Sequence, residues 1–302
     1  MNDLDVASKE LHTVRDFIRW GTSRFNENRL YFGHGTDNAW DESVQLVMRA
    51  LHLPMESGGE VLDARLTSEE RKLLTVVIAT RIKERIPVAY LNGEAWFAGL
   101  RFKADERALI PRSPIAELIE RGFEPWKAAH EIGQVLDLCT GGGCIGIAAA
   151  HYLPDARVTL ADLSEPALEL AAINVREHHM QPHIDIYHSD LFSSLPENET
   201  YDLIVSNPPY VDAEDFASMP AEYRHEPEMA LTAGDDGLDI VHRILREASH
   251  WLNDQGVLIV EVGNSQPALE ASYPAIAFNW LEFERGGHGV FALDKSELQK
   301  HF

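Results

Sequence analysis

Val135-Leu136-Asp137-Leu138-Cys139-Thr140-Gly141-Gly142-Gly143-Cys144 is the stretch on which the fold turns. A short apolar run ends at Leu138, passes straight into a glycine-rich turn, and leads into an apolar helix. Glycines at a strand-to-helix junction let the backbone approach a ligand with no Cβ in the way, and the helix N-terminus beyond offers free N–H groups. From Val135 onward, apolar runs ending at Leu138, Ala161, Tyr187, Ser206 and Val262 alternate with helical stretches such as residues 166–178 and 238–252. Strands alternating with helices predict a mainly parallel sheet covered on both faces. Two last apolar stretches, 277–283 and 289–293, with Gly286, Gly287 and Gly289 near their junction, predict a terminal hairpin and bring the sheet to seven strands.

The rest of the chain reads differently. Over residues 9–86, Leu11, Val14, Phe17 and Ile18 recur at helical spacing, as do Leu46, Val47, Ala50 and Leu51. A third helix opens at Thr67, with Glu70 three residues on as a capping box, and Pro87 bounds it. Tyr31 to Trp40 (YFGHGTDNAW) is a loop rich in glycine and aromatics, of the kind that carries recognition on a rigid scaffold. Residues 93–110 partly alternate apolar and polar around Gly99, which predicts a β-hairpin.

Composition narrows the functional classes. Of 302 residues, 49 are acidic and 26 basic, a formal charge of −23. That field attracts basic partners, favours solubility and opposes polyanions, and no Lys/Arg cluster stands out to hold phosphates. A nucleic-acid substrate is therefore not expected. The aliphatic runs are far shorter than the ~20 residues of a membrane span. The acidic N-terminus lacks a secretory pattern, which predicts a cytoplasmic protein without membrane attachment. Two cysteines, Cys139 and Cys144, are too few for a disulfide scaffold or structural zinc site, and they read as small residues packed beside a tight turn. No metal is expected.

Candidate ligand-binding residues lie on one edge of the predicted sheet. The second strand ends at Asp162, nineteen residues after Gly143, where an acidic residue accepts hydrogen bonds from ribose hydroxyls. The third runs into Ser189-Asp190-Leu191-Phe192, a carboxylate with apolar neighbours suited to an adenine ring. A dinucleotide needs its pyrophosphate stabilised at the helix end. A sulfonium nucleoside has no phosphate and carries a cation, which suits the carboxylate of Asp137 beside the turn. The spacing Asp137-x-Cys139-x-Gly141-x-Gly143 resembles the cofactor loop of Rossmann-like class I methyltransferases, with cysteine where most of them have glycine.

After the fourth strand comes Asn207-Pro208-Pro209-Tyr210. Two prolines fix the backbone, holding the Asn207 side chain and the Pro208 carbonyl as two acceptors for the two hydrogens of a planar NH2 group. Such a nitrogen is a poor nucleophile because its lone pair is delocalised. Two fixed acceptors turn that lone pair towards a methyl donor and stabilise the positive charge that develops. Tyr210 is placed to stack on the target, and no general base is evident. The tetrapeptide alone leaves an aromatic amine and a side-chain amide equally open.

It is shared by DNA adenine-amino methyltransferases and by the HemK-like protein glutamine methyltransferases. Ile110-Pro111-Arg112, Glu226-Pro227-Glu228-Met229-Ala230-Leu231 and Gly234-Asp235-Asp236-Gly237-Leu238 resemble the second group, as do the helical N-terminal part and hairpin, so the resemblance spans nearly the whole chain. The stretch Pro111-Arg112-Ser113-Pro114-Ile115-Ala116-Glu117-Leu118, Tyr31 to Asn38, Tyr223-Arg224-His225-Glu226-Pro227 and Cys139 resemble the branch acting on a glutamine of the large-subunit ribosomal protein uL3. The resemblance implies a helical substrate-recognition domain over 1–90, a hairpin linker over 91–108 and an S-adenosylmethionine-dependent methyltransferase domain over 109–302. It implies cofactor contacts from Asp137, Cys139, Thr140, Gly141, Gly142, Gly143, Asp162, Asp190 and Leu191. It implies an acceptor amide held by Asn207, Pro208, Pro209 and Tyr210. Arg112 and Glu117 belong to the pocket region without an assigned role. The partner implied is a basic ribosomal protein, met before or during assembly of the large subunit. A release-factor glutamine methyltransferase, a DNA adenine methyltransferase and an assembly factor without activity are the other readings.

Overall fold

The computed structural model describes residues 3–302, with side-chain environments from Ala7 onward; Met1 and Asn2 of the expected helical segment lie outside the described residues. Two compact units emerge: Met1–Ala95 with Pro220–His225, and Trp96–Met219 with Glu226–Phe302.

The first unit contains α1 (Asp3–Glu10), α2 (Val14–Glu27), α3 (Ala39–Ala50), α4 (Gly59–Leu62), α5 (Ser68–Glu84) and α6 (Val88–Asn92). The Thr67–Glu70 capping box forms at the start of α5. A second box, Thr13 with Asp16, opens α2. Phe17, Ile18, Phe25, Leu46, Val47, Leu74 and Ile78 build the core of this unit. Arg81 lies within it, fully buried. Its guanidinium pairs with Glu42 at 2.8 Å and Glu222 at 3.3 Å, and donates to the Tyr31 carbonyl at 2.9 Å. Burial raises the Glu42 carboxyl against the pull of Arg81. For Glu222 burial is outweighed by the Tyr31 N–H and Arg81, and its carboxyl is lowered. Buried ion pairs add little net stability but fix register. Here the register fixed is that of the 31–38 loop, which ends before the expected Trp40 because Asn38 caps α3, against the single turn Ala221–His225, where the Tyr223 ring also stands 4.5 Å from His34.

The chain passes into the second unit within a hairpin whose strands are β1 (Glu94–Phe97) and β2 (Leu100–Lys103). Ala98 and Gly99 both take positive φ in its turn, as a two-residue loop matched to strand twist requires. The predicted hairpin is shorter than its 93–110 alternation. The strands stop at Lys103 because Asp105 turns the chain, accepting from the Arg107 N–H at 3.2 Å, and residues beyond it line a cavity instead.

The main sheet comprises β3 (Gln134–Leu138), β4 (Arg157–Asp162), β5 (Ile184–His188), β6 (Tyr201–Ser206), β7 (Leu252–Glu261), β8 (Asn279–Trp280) and β9 (Val290–Asp294). Its order is β5-β4-β3-β6-β7-β9-β8, with β3 to β7 parallel and β9 antiparallel to both neighbours. The mainly parallel seven-stranded sheet and its terminal hairpin are those predicted from the sequence. Helices α7 (Ile115–Glu120), α8 (Cys144–Tyr152), α9 (Glu165–Glu177), α10 (Ala213–Ser218), α11 (Asp239–Trp251), α12 (Gln266–Ser272) and α13 (Lys295–His301) complete the unit. Alternate residues of the strands feed two cores. Val135, Val158, Leu203 and Ile259 pack with α7 and α8, while Leu136, Ile204, Leu258 and Val260 pack with α11. The apolar run Leu203-Ile204-Val205 of β6 is continuous because both faces are covered, and in β3 only Asp137 interrupts the run. The chain winds outward from β3 to β5 and then returns to β6, so strand order reverses between β3 and β6. Ligands in open α/β sheets bind at that point, outside the carboxyl ends of the strands.

Candidate active site

The glycine turn is held from beneath. Gly143 caps α8 with φ +81°, and a Cβ there would press within 3.1–3.3 Å of Ile147, Ala171 and Leu160. Cys139, at φ +56°, carries the backbone through the left-handed region at a position where most side chains are disfavoured. Burial pushes both cysteine thiols up, so neither is poised as a nucleophile.

Asp137, counted with the cofactor ligands on sequence grounds, is fully buried under the turn and does not line the cavity. Its Oδ2 accepts from the Thr140 hydroxyl at 2.5 Å and the Gly146 N–H at 2.8 Å, while Oδ1 is buried without a partner. Burial raises its carboxyl to about 7, against those two donors and with the help of the nearby Asp162 charge. Asp162 accepts from the N–H groups of Gly141 and Ser164, each at 2.8 Å, and burial nonetheless holds its carboxyl above the usual value. A third support was not read from the sequence. Asn174, fully buried on α9, donates to the Gly142 carbonyl at 2.9 Å and accepts from the Lys103 N–H at 2.8 Å. Its only signal is a polar residue inside the apolar run Ala171-Ala172-Ile173-Asn174-Val175.

One cavity of about 1040 Å³, counting its open mouth, brings together Cys139, Thr140, Gly141, Gly142, Asp162, Asp190, Leu191, Asn207 and Pro209. Gly143, Pro208 and Tyr210 stand outside its lining, as Asp137 does. Both arginines in the wall are already engaged by carboxylates. Arg107 makes two 2.8 Å bonds to Asp105, and Arg112 binds Glu226 at 2.7 and 2.8 Å. Asp190 is likewise paired, with Arg243 at 2.8 Å, so Asp162 is the carboxylate that sets the field, which suits a cationic nucleoside and opposes a pyrophosphate. Leu163, Leu191 and Ile240 supply apolar surface beside them.

The Asn207–Tyr210 turn lies across the switch point from the glycine turn. Ser206 closes β6 and donates to the Leu138 carbonyl at 2.8 Å, tying the ends of β6 and β3 together. Beyond the turn, Val211 pairs with Thr232 in a parallel bridge. Asn207 is thus fixed on both sides, and its Oδ1 is buried without a hydrogen-bond partner. A buried acceptor left unpaired is costly, and an amide N–H brought into the cavity would satisfy it.

Two residues without a sequence-based role find places here. Arg112 forks onto Glu226, whose side chain is fully buried and also accepts from the Ile110 N–H at 2.9 Å. This joins the Ile110–Arg112 and Glu226–Leu231 segments into one wall. Glu117 sits at the other end of that wall and accepts from the N–H groups of Glu284 and Arg285 at 3.0 and 2.8 Å, fixing the turn between β8 and β9.

Comparison with known proteins agrees with this geometry. The family model "Methyltransferase small domain" matches residues 126–222. A ribosomal protein uL3 glutamine methyltransferase of Xanthomonas campestris pv. campestris is 52% identical over 296 residues, covering 98% of this chain and 96% of its own. Another, of Francisella tularensis subsp. tularensis, is 48% identical over 292 residues, covering 96% and 93%. Among solved structures, the hMettl16 catalytic domain in complex with an RNA hairpin superposes with a TM-score of 0.51 at 17% identity, over 73% of this chain and 80% of that one, which supports the fold alone. At this identity over nearly its full length, the chain belongs to the family of ribosomal protein uL3 glutamine methyltransferases.

Proposed function

We propose that this protein transfers a methyl group from S-adenosylmethionine to the side-chain amide nitrogen of a glutamine in ribosomal protein uL3. The observation that carries the chemistry is Asn207, which lines the same cavity as Asp162 and Asp190 and whose Oδ1 is buried without a partner. Family membership carries the acceptor. The cofactor, when bound, supplies an electrophilic methyl group on a sulfonium. Thr140, Gly141, Gly142, Asp162, Asp190 and Leu191 hold it, while Asp137 acts one layer behind by fixing Thr140 and Gly146. Asn207 and the Pro208 carbonyl accept the two amide hydrogens, orient the lone pair into the cavity and stabilise charge as the nitrogen is alkylated. Pro208 and Pro209 keep that pair rigid. The released proton passes to solvent through the open mouth. Such an enzyme works where ribosomal proteins are made and assembled, in the cytoplasm, and among the described residues no helix is long and apolar enough to cross a membrane.

The test is to incubate purified protein with methyl-labelled cofactor and, separately, with uL3, with release factors and with duplex DNA, then map the product by mass spectrometry. A single methyl on a uL3 glutamine is the expected result. Labelling of a release factor or of adenine, with uL3 untouched, overturns the assignment.

A further inference from the structure

We propose that Glu261 is a positioning residue for the acceptor site, locking Tyr210 and the cavity wall at Ser113 into one rigid assembly; the inference rests on the amide-methylating reading above. Glu261 ends β7, is 5% exposed, and uses its two oxygens on two separate segments. Oε1 accepts from the Tyr210 hydroxyl at 2.8 Å and Oε2 from the Ser113 hydroxyl at 2.5 Å. Both partners are neutral. Burying a carboxylate against neutral hydroxyls is an expensive way to close a core, which an apolar residue of similar volume would close better. Burial raises the Glu261 carboxyl, the sign of that cost.

What the carboxylate adds is position. Tyr210 is held at three points: its hydroxyl by Glu261, its carbonyl by the Ser265 hydroxyl at 2.8 Å, and its ring face against Gly263. At Gly263 φ is +45° and a Cβ would come within 2.6 Å of the tyrosine ring, so the turn after β7 is a mould for this side chain. Tyr210 is joined to Asn207 through two prolines, whose fixed φ angles transmit any displacement rather than absorb it. On its other arm Glu261 holds Ser113, which lines the cavity beside Arg112. A single buried carboxylate therefore ties the cavity wall at Ser113 to the turn that presents the amide. Glu261 does not line the cavity, so its action on the reacting nitrogen is through Tyr210 and the turn that carries Asn207.

The experiment compares wild type, E261Q, E261L, Y210F and Y210F/E261L by steady-state methylation, by calorimetric cofactor binding and by NMR of ring-labelled tyrosine. E261L is expected to lower kcat by about 10- to 100-fold, with cofactor Kd changed by less than about threefold, because hydrogen bonds to a charged group are lost while the cofactor's own contacts remain. E261Q keeps an acceptor for Tyr210 and falls between. Y210F/E261L is expected to be no slower than the slower single variant, since both remove the same restraint. The Tyr210 ring signal, assigned by its absence in Y210F, should shift or broaden in E261Q. Wild-type kcat in E261L, multiplicative losses in the double variant, or a parallel fall of kcat and cofactor affinity in E261Q overturns the proposal. If the wild type methylates no acceptor, the functional reading fails instead, and the ring signal still decides: an unchanged Tyr210 resonance in E261Q sinks the positioning role.

Discussion

Asn207 and Asp137 show how differently two polar residues at strand ends are used. The amide oxygen of Asn207 is unpaired in a cavity wall. N207A should lower kcat by roughly 100- to 1000-fold, the usual loss when a preorganised electrostatic contact to the developing charge is removed. N207D, which keeps an acceptor oxygen in place, should retain more activity than N207A. Calorimetry should show cofactor affinity little changed in both, and a joint loss of binding and turnover would refute the separation of roles. Asp137 instead carries a pH dependence. Its folded-state carboxyl lies near 7 against an ordinary 3.8, so the fold favours the protonated form. The associated stability is fully present below the ordinary value and is lost as pH rises through about 7. For a fully buried group this amounts to at most roughly 4 kcal/mol. The thermal midpoint of the wild type should fall between about pH 5 and about pH 8, and D137N should flatten the slope because it cannot ionise. An equal slope in both proteins would show that Asp137 is already ionised in the folded state, better solvated than its burial implies.

At the scale of elements, what was legible in the sequence was local. The alternation of strand and helix, the capping box at Thr67 and the paired stretches after Val262 are set by neighbours a few residues apart, and periodicity reports them. Asn174 reaching Gly142 and Lys103, Glu226 receiving Arg112, and Glu261 joining Tyr210 to Ser113 span tens to more than a hundred positions, and no local pattern encodes such pairings. Asp137, expected among the cofactor contacts, lies outside the cavity lining for a related reason. In a strand buried on both faces, alternation no longer tells which side chain meets the ligand. The passage of residues 220–225 into the helical unit was equally hidden, since a short turn between prolines looks like any loop. The wall formed by Arg112 and Glu226 makes a sharp stability prediction. Glu226 is fully buried and Arg112 about a quarter exposed. R112M strands a carboxylate that water cannot reach and should cost about 3–5 kcal/mol in chemical denaturation. E226Q leaves an arginine that can turn to solvent and should cost less, about 1–2 kcal/mol. The reverse order would mean that water enters beside Glu226 once the pair is broken.

For the whole molecule, the dominant feature is a formal charge of −23 over 302 residues. Charge of this size acts on encounter rather than on the chemical step, because the field outside the protein is screened over about 10 Å at 0.1 M salt while contacts inside the cavity are not. A ribosomal protein made to bind RNA phosphates carries lysine and arginine, so the two macromolecules should attract each other at long range. The cofactor has no such net charge and enters a cavity whose carboxylates sit close to it. Raising ionic strength from about 50 to about 500 mM should therefore lower kcat/KM for the protein acceptor by about tenfold or more, mainly through KM, and leave cofactor Kd within about twofold. Steady-state kinetics over a salt series, with calorimetry of the cofactor alone at each point, separates the two. A kcat/KM for uL3 that ignores salt would mean that acceptor recognition is apolar and short-range. In that case the acidic surface serves solubility, and the aromatic 31–38 loop would be the place to look for the contacts that select the acceptor.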